Sequence, residues 1–284
     1  LSLLLLQPYH ASFQAFYTGL RESPAQTNPL NYLAIHGLFL YILLTVLVLE
    51  LAGRARSPTQ RADLWIAALF FLTVDLAAAA VLVLFYWLQA YLAIPFPVLP
   101  VAVLYLVIPL LVLLQAVLYL VLRGGGPFPH RFALSMVALA LALGAGVEVV
   151  AVQGDIERMN TLFKFYLQAW VLFGIASGYL LWYLGQRGLF QGLGQSWGRR
   201  LWFSGLLALL GAVAIYPLAE PGARLGDRFT PLPLTLDGMA YMQEAVYRDV
   251  EGEIILRWDA EAIDWLRRNV EGSPVIVEGV TPEY

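Results

Sequence analysis

Six stretches of the chain are apolar for long enough to cross a bilayer: 30–52, 64–86, 98–122, 132–152, 163–185 and 201–218. A spanning helix needs about 20 such residues. The apolar window from 64 to 122 is long enough for two spans, and Ile94-Pro95-Phe96-Pro97 is its natural break, because proline ends helices and restricts the residue before it. Pro100 and Pro109 are expected to kink the third span. Leu1–Leu6 reads as the last turns of a further, partial span, which makes the chain read as a segment of a longer protein. The pattern predicts an all-α polytopic membrane protein over 1–218, with six full spans. A short extracytoplasmic α/β segment follows over 219–284. In that tail, Glu253–Trp258 and Val275–Val277 read as strands, and Asp259 reads as the N-cap of a helix running to Val270.

The loops give a direction. Arg54, Arg56 and Arg61 fall in 53–63, Arg123 and Arg131 in 123–131, and Arg187, Arg199 and Arg200 in 186–200. The intervening loops are poorer, with Arg21, then none, then Arg158 and Lys164. By the positive-inside rule the arginine-rich loops are cytoplasmic. The segments 8–29, 87–97, 153–162 and the tail are then extracytoplasmic, as expected of a multi-pass protein of the plasma membrane.

Composition narrows the class. Of 284 residues, 60% are hydrophobic and 13% charged, and the mean hydropathy is +0.70. A soluble domain carries roughly 25% charged residues. A net charge of −3 supplies no basic footprint for nucleic acid. There is no cysteine, hence no disulfide or thiolate site. The tail from Ala219 holds 13 acids against 6 bases, so it is a different, water-facing material.

Candidate chemistry is sparse. Gly194-Gln195-Ser196-Trp197-Gly198 fits G-x-S-x-G, but it sits in a loop between spans with every histidine upstream, and so lacks the setting of a nucleophile elbow. Asp75 lies near the middle of its span. A carboxylate there costs on the order of 2.5–3.5 kcal/mol. It either lines an ion or substrate path or, protonated, bonds a neighbouring helix, and the sequence leaves both open. The densest polar cluster runs from Glu148 through Asp155, Glu157, Arg158, Asn160, Thr161 and Lys164 to Gln168, at the extracytoplasmic interface. If residues 157–168 are helical, Glu157, Thr161, Lys164 and Gln168 share a face, and Lys164 enters the bundle. Arg158 and Lys164 then suit a lipid phosphate, and Glu148, Asp155 or Glu157 suit a base or a divalent metal ion. A solvated loop with a snorkelling lysine is the plainer alternative.

The same residues carry a resemblance. Glu148-Val149-Val150, Asp155, Arg158-Met159-Asn160-Thr161-Leu162-Phe163-Lys164-Phe165-Tyr166 and Gln168-Ala169-Trp170 resemble the signature of the YYY-type uncharacterised membrane proteins. Leu236-Asp237-Gly238-Met239-Ala240-Tyr241, the run Asp259–Leu266 and the run Gly272–Glu278 resemble motifs that follow its membrane part. The architecture of that family is similar to that of GT-C glycosyltransferases, which take a sugar from a polyprenyl-phosphate donor at the outer membrane face. In those enzymes the catalytic acid usually sits in the first outer loop, which the resemblance places before the start of this chain.

The resemblance implies a lipid-linked-sugar transferase, with Arg158 and Lys164 on the donor phosphate, Asn160 and Gln168 beside them, and Glu148, Asp155 and Glu157 orienting the acceptor or a metal. Asp75 and the kinked third span favour a transporter or flippase instead. A non-catalytic envelope scaffold is the third alternative.

Overall fold

The computed structural model describes residues 7, 19–92, 101–154, 158–191, 196–226, 234–249 and 252–275. The partial first span, Pro100, Asp155, Glu157, Gly194, Gln195 and the strand residues Ile276 and Val277 lie outside them. The chain falls into two compact units, Leu1–Leu210 and Gly211–Tyr284.

The first unit is a helical bundle. After strand β1 (Leu20–Glu22) come α1 (Pro29–Ala55), α2 (Pro58–Leu92), α3 (Val101–Arg123), α4 (Phe128–Val149), strand β2 (Val150–Val152), α5 (Met159–Gln186) and α6 (Trp197–Gly226). All six helices contain a stretch long and apolar enough to cross a membrane, so the protein is an all-α polytopic membrane protein. Proline opens several of them, where its missing N–H costs nothing. Pro29 is the first residue of α1, and the Asn28 side chain caps that helix by accepting from Leu30 N at 2.9 Å. Pro58 opens α2 directly after the two-residue link Arg56-Ser57. Pro109 is accommodated inside α3, which runs unbroken on both sides of it.

The core lies among α1, α3, α4 and α5. Leu43 and Val46 of α1, Leu120 of α3, Leu134 and Leu141 of α4, and Phe173 and Leu180 of α5 are fully buried. The α2 face is largely exposed, and the lipid that surrounds such a helix satisfies it. The N-terminal half of α6 rests on α1. Trp202 stacks on Tyr41, Tyr41 Oη donates to Trp202 O at 2.8 Å, and Trp202 Nε1 donates to Thr45 Oγ1 at 2.8 Å. Gly205 makes that approach feasible, since a Cβ there would stand 2.8 Å from Tyr41 Oη.

Several boundaries differ from the sequence expectation, each for a physical reason. The fourth span was expected to reach 152, but Val150–Val152 leaves the helix and pairs antiparallel with Leu20–Glu22. Alternating β-branched residues suit a strand as well as a span. The sixth was expected to stop at 218, yet α6 continues through Pro217 and Pro221 to Gly226. A proline removes only its own helical hydrogen bond, and an apolar helix tolerates that loss. In the second unit, a hairpin of β3 (Val246–Asp249) and β4 (Gly252–Ile255) precedes α7 (Leu256–Asn269). The strand expected through Trp258 therefore ends at Ile255, and Asp259 lies within the first turn of α7, where its charge favours the helix dipole.

Gly124, directly after α3, is fixed by backbone rather than by side chains: a Cβ there would lie 2.0 Å from Leu120 O. Gly124→Ala is expected to destabilise the protein by about 1–3 kcal/mol. Gly37→Ala in α1, where a Cβ meets nothing within 4 Å, should be neutral or stabilising by up to about 1 kcal/mol. Thermal melting of the two variants in detergent checks the contrast.

Candidate functional site

The polar cluster at the β1–β2 end of the bundle is organised around one buried carboxylate. Glu148 lies on the inward stripe of α4, continuing Leu134, Leu141 and Ala145 at helical spacing, and is only 1% exposed. Its carboxylate accepts four hydrogen bonds. Oε2 takes Thr27 N at 2.7 Å and Arg158 Nη1 at 3.1 Å, and Oε1 takes Thr27 Oγ1 at 2.8 Å and Tyr166 Oη at 2.6 Å. Arg158 is itself buried. Its Nη2 donates to Thr27 Oγ1 at 2.8 Å, and Nη1 also reaches Val147 O at 3.3 Å and Ser23 Oγ at 3.5 Å.

The strand pair brings these partners together. Arg21 pairs with Ala151, Ser23 N donates to Val149 O at 3.0 Å, and Gln153 N donates to Gly19 O at 2.8 Å. The segment before α1 is thereby laid across the end of α4, which carries Thr27 onto Glu148. Thr161 closes the arrangement from α5, accepting from Val152 N at 3.1 Å. Below the carboxylate lies an aromatic cluster. Tyr32 and His36 meet Tyr166 at 5.6 and 5.3 Å between ring centroids, and Phe173 packs on His36 at 5.6 Å. Gly144 gives Tyr32 its room, since a Cβ there would come within 2.7 Å of the hydroxyl.

This geometry decides what each residue does. A carboxylate with four donors has no lone pair facing outward, so Glu148 is a fixed counterion. Arg158 is its partner, turned inward and spent on protein groups. The ion pair ties three elements of distant sequence to one point. Lys164 does not enter the bundle as expected: it is exposed, as is Gln168, while Thr161 on the same stripe is buried under β2. The inward face of α5 is set by Tyr166, Ala169, Phe173, Ala176 and Leu180. Asn160 is half-buried. Arg158 and Lys164 thus do not form a paired grip on one anion. Among the described residues no three His, Asp or Glu side chains converge as metal ligands.

Asp75 belongs to another place. It lies in α2 and accepts from Gln115 Nε2 of α3 at 2.7 Å, beside a hollow of about 290 Å³ between α1, α2 and α3. Ser23, Thr27 and Tyr166 were missed by sequence reasoning. Tyr166 lies on the buried stripe of α5 and donates its hydroxyl to Glu148, whereas Thr27 becomes visible only once the strands are paired.

A family model described as uncharacterized membrane protein (DUF2298) matches residues 1–173, and the chain belongs to this family. Every residue of the Glu148 network lies inside the matched region. No curated protein and no solved structure matches the chain.

Removing one member of a buried ion pair leaves the other unpaired, at a cost of about 3–5 kcal/mol. Glu148→Ala and Arg158→Ala are each expected to lose stability on that scale. The double variant should lose less than the two costs combined, by about 0.5–3 kcal/mol. Thermal melting in detergent measures the cycle, and strict additivity would show that the pair is not coupled.

Proposed function

We propose that this member of the uncharacterized membrane protein family is a GT-C-like glycosyltransferase of the plasma membrane that takes a polyprenyl-phosphate-linked sugar at the extracytoplasmic face. The observation that carries the reading is an apolar groove of about 300 Å³ beside the Glu148 network. It runs between α4, the strand pair and the start of α5, and its lining includes Leu20, Gly146, Val150, Thr161 and Phe165. Thr161, its one polar side chain, is occupied by the Val152 amide. An apolar groove of this kind suits an isoprenyl chain, not a free sugar. Lys164 and Gln168 are exposed on the same helix next to Phe165, where a headgroup leaving the groove would meet them.

In this mechanism an acceptor hydroxyl oxygen bonds to the sugar carbon, its proton passing to a carboxylate, as the bond from that carbon to the phosphate oxygen breaks; Lys164 pairs with the departing polyprenyl phosphate, on which negative charge grows. Asn160 and Gln168 offer amide hydrogen bonds to the sugar or the phosphate. Asp155 and Glu157 orient the acceptor or a divalent ion. Arg158 and Glu148 act as positioning residues, holding the strand pair that forms one wall of the groove. The tail from 219 onward would be an extracytoplasmic α/β segment.

A second reading, as a transporter, has its own observation: Asp75 and Gln115 place a polar pair at mid-depth beside a hollow. It calls for ion- or substrate-coupled flux in proteoliposomes, which Asp75→Asn would abolish.

The groove makes the sharper test. Gly146 lines the groove and a Cβ there meets nothing within 4 Å, so Gly146→Phe places a ring at the groove. A photoreactive polyprenyl phosphate should label the wild-type protein near Phe165, and Gly146→Phe should reduce that labelling by about tenfold. Lys164→Ala should abolish sugar transfer. Undiminished labelling in Gly146→Phe, or normal transfer by Lys164→Ala, overturns the assignment.

A further inference from the structure

The opposite end of the bundle holds a second polar assembly that the transferase reading does not use. It surrounds a cavity of about 570 Å³ bounded by the last turns of α1 and α3, the Gly124–Pro127 connection, the start of α4 and the last turns of α5. Three arginines line it, Arg54, Arg123 and Arg187, against a single carboxylate, Glu50. Glu50 accepts from Arg187 Nη2 at 2.8 Å and from Arg54 Nη2 at 3.4 Å, and also from the Tyr183 hydroxyl. Arg54 is held further by the carbonyls of Arg123 and Gly124, at 3.4 and 3.0 Å. One carboxylate therefore offsets only part of the positive charge. The Arg123 guanidinium makes no hydrogen bond or ion pair with any described residue.

Two further features indicate that the excess charge awaits a ligand. His130 is 6% exposed and lines the cavity, and its Nδ1 is buried with no hydrogen-bond partner; Arg54 Nε is in the same condition. Such orphaned buried donors and acceptors are rare in a finished site. The walls are also stripped of side chains where a ligand would lie. A Cβ on Gly53 or on Gly125 would meet nothing within 4 Å, and Gly125 sits at φ +64°, which favours glycine. A tilted Tyr183 ring covers His130 at 4.3 Å, and Arg187 lies over Tyr183 at 5.0 Å, so His130 and Arg187 are held in place before anything binds.

We propose that this cavity binds a phosphate group, with Arg123 and Arg187 as its direct ligands and Arg54 and His130 behind them. Guanidinium groups match phosphate oxygens in both geometry and charge. The cavity lies at the bilayer edge, so the phosphate comes either from an anionic lipid headgroup or from a soluble phosphate. Both sources present the same chemistry to the same arginines.

The test uses the full chain in phosphatidylcholine nanodiscs, with melting temperature as the readout, because a ligand that binds only the folded state raises it. In one arm inorganic phosphate is titrated at constant ionic strength, which keeps general screening fixed. In the other, phosphatidylglycerol replaces part of the phosphatidylcholine. Arg123→Gln removes a ligand that supports no other contact. Gly53→Leu fills the cavity and leaves every charge in place. In whichever arm stabilises the wild type, each variant is expected to weaken the apparent affinity by about tenfold or more. A response to phosphate alone identifies a soluble ligand, and a response to phosphatidylglycerol alone identifies a headgroup. Stabilisation in neither arm, or stabilisation that survives both variants, overturns the proposal.

Discussion

A carboxylate buried at the end of a membrane bundle must be neutralised on the spot, and that requirement organises the β1–β2 end of this protein. Water and lipid cannot solvate Glu148, so four protein donors do. They come from the segment before α1, from the α4–α5 connection and from α5 itself. No single helix could supply them. The short strand pair exists in the same economy of contacts: it places Thr27 within reach, and it satisfies the backbone of two segments that would otherwise leave amides bare at the membrane edge.

The two ends of the bundle resolve the same physical problem in opposite ways. At the strand end, one arginine meets one carboxylate and both are saturated. At the other end, two arginines share one carboxylate, and a third, Arg123, lines the same cavity with no ion pair among the described residues. Net positive charge at one end is what the arginine-bearing loops lead one to expect of a membrane protein. Loop charge alone, however, calls only for exposed side chains. Here Arg54 is drawn into a cavity and held there by Glu50 and two carbonyls, and Arg187 reaches Glu50 from the rim.

The helical architecture was legible because bilayer thickness imposes a length on every apolar stretch, and all six stretches meet it. Helix ends were less legible. Val150–Val152 is as apolar as the span before it, and only its distant partner Leu20–Glu22 makes it a strand. Pro217 and Pro221 look like stops, yet α6 passes through both. The importance of Glu148 and Arg158 could be read from an acid on a buried stripe and a nearby base. Their mutual pairing could not, because Arg158 was assigned outward by its place in a polar loop. Lys164 erred the other way: the residue that spacing sent into the bundle is the one that faces out. Glu50 passed unnoticed inside an apolar span, although Arg54 lies one turn beyond it.

These misassignments share a cause that bears on function. Helical periodicity fixes which residues share a stripe, but the bundle decides which stripe is inward at each depth. On α5 the stripe through Thr161 is covered only where β2 lies over it, and one turn later the same stripe is exposed at Lys164 and Gln168. The cover ends where the apolar groove opens. Lys164 leaves the cover of β2 directly before Phe165, which lines that groove. A lysine on a fully solvated loop would have no such relation to an apolar channel. The edge of the strand pair, and through it the buried ion pair that holds the strand in place, thus sets where the groove begins.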